Sequence, residues 1–135
     1  MLITSIKQGI RNGLETTMML AKTMVPVYIL VTFLQHTPAI EWIADFFEPL
    51  MRLFNIPGEA ALVLVMGNFV SLYGAVGAIQ AMSLSSHEVL VIALMLNFSH
   101  ALFLESAVVT KLKVSGLQFA AFRMGLMLLA GLIYG

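Results

Sequence analysis

Five polar side chains stand in apolar surroundings where they could do chemistry: Asn68, Ser71, Asn97, His100 and Glu105. An amide donates and accepts hydrogen bonds at once, and an imidazole can donate, pass a proton or bind a metal. A carboxylate flanked by Phe103, Leu104, Ala107 and Val108 needs a partner if it faces the interior; Arg123, Lys111 and His100 are the candidates. Counted from their helix ends at about 1.5 Å per residue, Asn68 and Asn97 both fall near the middle of a bilayer-spanning run, in consecutive antiparallel segments whose midpoints can face each other. Polar groups that meet at that depth beside an interrupted helix are what secondary transporters use to bind solute. The competing reading is structural. Each Asn then bonds across a helix interface for about 0.6 kcal/mol, His100 is a packed histidine, and Glu105 sits in water at the membrane surface. On a straight helix Glu105, five residues after His100, points elsewhere, so no metal set forms. The sequence has no Gly-x-Ser-x-Gly elbow, phosphate loop or His-Glu-x-x-His, so no catalytic residue, enzyme activity or cofactor is expected.

The element that must carry Asn68 and Ser71 is Ala60–Ala81, which has no charged side chain and is long enough to cross hydrocarbon. Gly67, Ser71, Gly74 and Ala78 recur at spacings of four, three and four, and Gly77 lies beside them. Small residues on one face allow close helix approach, so this stretch reads as a buried central membrane helix, with a break at Gly67–Asn68. Before it, Leu2–Thr17 is amphipathic, either lying in the interface or leading straight into a first span over Met18–Leu34 that Pro26 should kink. Ala39–Phe54 carries Glu41, Asp45, Glu48 and Arg52 as one charged stripe. Those four charges make it an interfacial helix or the first arm of a re-entrant hairpin, bent at Pro49. Asn55–Glu59 is a turn. Ser85-Ser86-His87-Glu88 has the form of a capping box and opens a third span over Val89–Leu104. Thr110–Gly116 reads as a loop and Leu117–Tyr134 as the last span, with Arg123 nearly two turns in. A short echo links Asn68-Phe69-Val70-Ser71 and Asn97-Phe98-Ser99, too short in a Phe-rich chain to establish a repeat.

Composition fixes the class. Of 135 residues, 60% are hydrophobic and only 10% charged, too few to cover a water-facing globule, which carries about 25%. The chain is expected to be an all-α, polytopic membrane bundle of one domain, with about four spans and two amphipathic or re-entrant helices. Net charge is zero with no basic stripe, which argues against nucleic acid as a partner. The absence of cysteine removes disulfides, thiolate metal sites and cysteine nucleophiles. Charges are spread through Met1–Met18 rather than set before an apolar run, so no cleavable signal is read there. Ten Met and nine Phe are read as packing and bilayer-facing residues.

The turn Asn55-Ile56-Pro57-Gly58-Glu59-Ala60-Ala61, followed by Gly67, Gly74 and Gly77, resembles the Gate, or nucleoside-recognition, domain. So does Asn97-Phe98-Ser99-His100-Ala101-Leu102-Phe103-Leu104-Glu105-Ser106-Ala107, with the basic loop through Lys111 and Lys113 to Gly116. The resemblance runs from about Phe33 to Tyr134. Its family includes paired spore-maturation proteins and the membrane part of the bacterial ferrous-iron transporter, and is similar in fold to part of the concentrative nucleoside transporters. It implies solute movement across a bacterial inner membrane by a multi-pass protein. Iron is disfavoured, since this sequence shows no GTPase domain and no cysteine. Family transporters contain two such units where this chain carries one, which implies a partner. With four spans, Lys7, Arg11 and Lys22 flank one side and Arg52, Lys111 and Lys113 the other. That balance lacks a positive-inside bias and fits a homo-oligomer paired head to tail in the lipid bilayer; the alternative is a homologous partner subunit.

Overall fold

A computed structural model describes the whole chain, Met1–Gly135, as an all-α bundle. In order the helices are α1 (Leu2–Gln35), α2 (Ala39–Met51), α3 (Ala61–Phe69), α4 (Leu72–Ala81), α5 (Ser86–Ser99), α6 (Leu102–Lys111) and α7 (Gly116–Tyr134), with short 3-10 turns at Arg52–Phe54 and Gly58–Ala60. Three stretches are long and apolar enough to cross a membrane: α1, α5 with α6, and α7. The α2 and α3 arms, bent by 95° at the Asn55–Pro57 turn, make a fourth if the pair counts as one span, and otherwise form a re-entrant hairpin.

The first helix runs without interruption from the amphipathic segment into the span. Pro26 lies inside it and does not end it. Its 34 residues make a rod of about 51 Å, well beyond the roughly 30 Å of hydrocarbon. All of Leu2–Met19 is exposed and packs on nothing, while Val27 and Val31 enter the core. The hairpin is closed by its polar stripe. Asn55 takes the left-handed conformation (φ 52°) that Asn tolerates, and the Glu48 carboxylate accepts from the Gly58 N–H at 3.1 Å. Glu48 thus caps the second arm, and Arg52 lies 3.6 Å from its other oxygen. Only glycine fits at position 58, since a Cβ there would overlap the Ala44 carbonyl.

The central stretch corrects the sequence reading. It is not one helix, and its break falls at Val70–Ser71, one turn later than Gly67–Asn68. The chain turns back sharply: a Cβ on Gly67 would sit 3.3 Å from that of Ala75, where eight residues of straight helix span about 12 Å. α3 therefore belongs with α2, while α4 packs along α1. The third span is also discontinuous. It breaks at His100–Ala101 and resumes as α6 as far as Lys111, leaving only Leu112–Ser115 as the loop. The Ser85 capping box forms as expected, with the Glu88 side chain accepting from the Ser85 N–H at 2.6 Å.

The core joins Val31, Phe54, Val63, Val91, Ile92, Met95 and Leu96, all essentially inaccessible. Glycines let the helices meet. Gly67 receives Leu96 of α5, Gly131 of α7 receives Phe54 and Met95, and Gly77 brings α4 onto the α1 backbone at Met24. The large exposed side chains, among them Ile29, Phe33, Trp42, Phe46 and Phe122, make the outer surface apolar, as lipid requires. A Cβ at Gly77 would lie 2.7 Å from the Met24 carbonyl oxygen, and backbone cannot yield there. Gly77→Ala is expected to destabilise the protein by about 1–3 kcal/mol in thermal unfolding in detergent. Gly125→Ala, with nothing within 4 Å, should instead gain up to about 1 kcal/mol of helix propensity.

Candidate functional site

Asn68 ends α3 and Ser99 ends α5, each just before its break. The Asn68 amide nitrogen donates to the Ser99 hydroxyl at 3.2 Å and to the Leu64 carbonyl at 2.8 Å. Ser99 is fully buried, and the Asn68 carbonyl oxygen is buried with no hydrogen-bond partner. The two breaks are thus tied together by one side-chain bond, with one acceptor left over. The Asn-Phe echo marks this place: both copies occupy the last turn of a half-helix.

The breaks are made differently. At Val70–Ser71 the chemistry is local, because the Ser71 hydroxyl accepts from the Gly74 N–H at 3.1 Å and caps α4. Ser71 is therefore occupied by its own helix. At His100–Ala101 nothing local caps α6. Ala101 is left-handed (φ 53°), a conformation that alanine adopts at a cost of roughly 1–2 kcal/mol. The hold comes from α7. Arg123 Nε donates to the Phe98 carbonyl at 2.6 Å, and a terminal nitrogen of the same guanidinium pairs directly with Glu105 in the first turn of α6. The cation meets the negative end of α5 and the carboxylate lies at the positive end of α6, so both helix dipoles favour the arrangement. His100 bonds through Nδ1 to the Leu96 carbonyl at 3.1 Å, and its Nε2 lies 3.8 Å from Glu105.

The expectation that Asn68 would face Asn97 gives way to Asn68 with Ser99. Asn97 lies two residues earlier, which turns it to the opposite side of α5; it is exposed and bonds to no other side chain. His100 and Glu105, set apart on a straight helix, are brought together by the break. Gly67, Gly74 and Gly77 serve helix packing. Of the three partners considered for Glu105, Arg123 makes the direct contact. Ser99 was not singled out in the sequence, and a small hydroxyl in an apolar helix gives little signal. Arg123 gave a clear one: a charge deep in a span must find a counter-charge. Beside Asn68 an open pocket of about 270 Å³ lies between the hairpin and α6–α7, walled by Phe47, Leu50, Phe69, Phe103 and Met124. The Phe69 and Phe103 rings lie 4.7 Å apart at its rim.

The Gate family, described as nucleoside recognition, matches residues 17–114. The uncharacterized membrane protein YvoD of Bacillus subtilis is 40% identical over 125 residues, 93% of this chain and 40% of its own length. The inner membrane protein YjiG of Escherichia coli is 33% identical over 89 residues, 62% of this chain and 58% of its own. The chain thus spans about two fifths to three fifths of the curated relatives it matches. No solved structure matches it.

If the Asn68–Ser99 bond couples the two breaks, Asn68→Ala and Ser99→Ala should each destabilise, and the double variant should fall short of their sum by about 0.6 kcal/mol. A double-mutant cycle on unfolding in detergent reads this directly. A sum that is simply additive removes the coupling.

Proposed function

The chain belongs to the Gate, or nucleoside-recognition, family of membrane proteins, and from that premise we propose that it carries a small polar solute across a bacterial inner membrane. The observation that carries this reading is the pair of helix breaks joined through Asn68 and Ser99 beside the apolar pocket. Irregular backbone inside a membrane is stable only where it is buried in protein or lines a cavity, and broken helices are where transporters hold solute. The unpartnered Asn68 carbonyl seeks a donor, and the Phe walls suit a flat ring. The family description makes nucleosides the first class to test. Asn68, Ser99, His100 and Glu105 are the lining residues in this reading, with Arg123 behind them.

One unit does not enclose a pathway. The pocket opens to the outside of the chain, and the exposed Asn97 amide would face hydrocarbon without a partner. We place a second Gate unit there, a head-to-tail copy of this chain or a homologous subunit. The same exposed face supports a second reading, in which the chain is a non-transporting scaffold for another membrane protein.

Purified protein in liposomes should accumulate at least one of a panel of radiolabelled nucleosides above protein-free vesicles, and Asn68→Ala should lower that uptake about tenfold, the effect of losing roughly 1.4 kcal/mol of recognition. No uptake, together with failure of a membrane-impermeant maleimide to reach a single cysteine at position 68, would favour the scaffold. The cysteine-free background also tests pairing. Single cysteines at Ser5 and Lys113, both exposed, should each label from outside intact cells in comparable fractions if copies insert both ways. Labelling of only one position fixes the orientation and points to the homologous subunit.

A further inference from the structure

The sequence His100-Ala101-Leu102 contains neither Pro nor Gly, and alanine is the strongest helix former. Local preference there is for a continuous helix from Ser86 to Lys111, yet the helix is broken and Ala101 is left-handed. The reason lies in a substitution of donors. In a continuous helix the Phe98 carbonyl accepts from the Leu102 N–H; here Arg123 Nε has taken that place. The N–H groups of Leu102, Phe103 and Leu104 are left without acceptors, and α6 has no side-chain cap. Arg123 is held in position by its pair with Glu105 and by its approach to the Phe119 ring, 5.6 Å from the guanidinium carbon. The break is one state of a two-state element, and a charge pair selects it.

We propose that Glu105 is a proton-binding site that operates this break. With Glu105 charged, Arg123 bridges it to the Phe98 carbonyl and the helix stays open. Proton uptake on Glu105 neutralises the ionic half of the bridge. The guanidinium loosens, the Leu102 N–H takes the Phe98 carbonyl, Ala101 relaxes to right-handed helix, and α5 and α6 join. The proton comes from water by way of His100 Nε2, 3.8 Å from the carboxylate and, like Glu105, more than a third exposed. It returns the same way. No other titratable group faces Glu105. α7 contributes Arg123, α5 contributes His100, α3 brings only Asn68 and Phe69 toward the start of α6, and Lys111 is exposed at the far end of α6. A metal cation is not the ligand, because the Arg123 guanidinium occupies the cation position on the carboxylate. If the break lines a solute path, as proposed above, the proton is the coupling ion; that consequence rests on the transport reading, and the switch itself does not.

Amide hydrogen exchange of the purified, full chain tests the switch without any solute. Wild type and Glu105→Gln are compared at the same pH, reading peptides that contain Leu102, Phe103 and Leu104. Glu105→Gln, which mimics the protonated side chain, should exchange about tenfold more slowly at these amides, because the helix has closed over them. Arg123→Lys cannot reach Glu105 and the Phe98 carbonyl together and should show the same slowing. Wild type should gain this protection as pH falls, after correction for intrinsic exchange. Merely structural loosening predicts the reverse, faster exchange in both variants, and that result, or exchange unchanged from wild type, overturns the proposal. His100→Gln should match wild type at high pH; slowing in that variant without slowing in Glu105→Gln would move the site to His100. Nucleoside uptake failing while the exchange result holds would remove the transport reading and leave the switch.

Discussion

One guanidinium sets the character of this fold. Arg123 reaches from α7 to the last carbonyl that α5 would have used to continue, and at the same time to the first-turn carboxylate of α6. Burying a charge in an apolar bundle is expensive unless it is paired and hydrogen-bonded, and Arg123 is only 12% exposed. It is satisfied by the free carbonyl of a broken helix and by the one carboxylate within that span. The break and the charge pair therefore require each other. Without the break Arg123 lacks its carbonyl, and without Arg123 an alanine has no reason to leave the helical region.

The second break shows the contrast. Ser71 caps α4 with its own hydroxyl, and β-branched Val70 precedes it. That interruption is local and stays where it is whatever the rest of the bundle does. The Asn68–Ser99 bond then ties the fixed break to the held one. An arrangement with one rigid and one conditional interruption is suited to a protein that must change shape in one place while keeping its frame. The frame is supplied by glycines, through which α1 meets α4 and α7 accepts Phe54 and Met95.

Family membership and geometry speak to different parts of the chain. The match covers residues 17–114, which includes the hairpin, both breaks and Glu105, but not Arg123. The relatives are membrane proteins longer than this chain, which accords with a unit that leaves Asn97 and the front of the pocket uncovered. The long, unpacked first half of α1 has no partner within the chain either.

The sequence by itself determined the class of the protein and much of its layout. Scarcity of charge forces a membrane bundle, the Pro-Gly turn forces a hairpin, and the Ser-x-x-Glu box starts α5, because each depends on neighbours within a few residues. It also flagged the important polar side chains, since an Asn, Glu or Arg in an apolar span has to be explained. Only the tertiary structure decided which of them meet. Asn68 pairs with Ser99 rather than Asn97, and His100 approaches Glu105, because the helix is interrupted at residues whose own propensity is to continue it. The donor that interrupts it comes from α7, 25 residues away from the carbonyl it takes, and no local pattern records a contact at that separation.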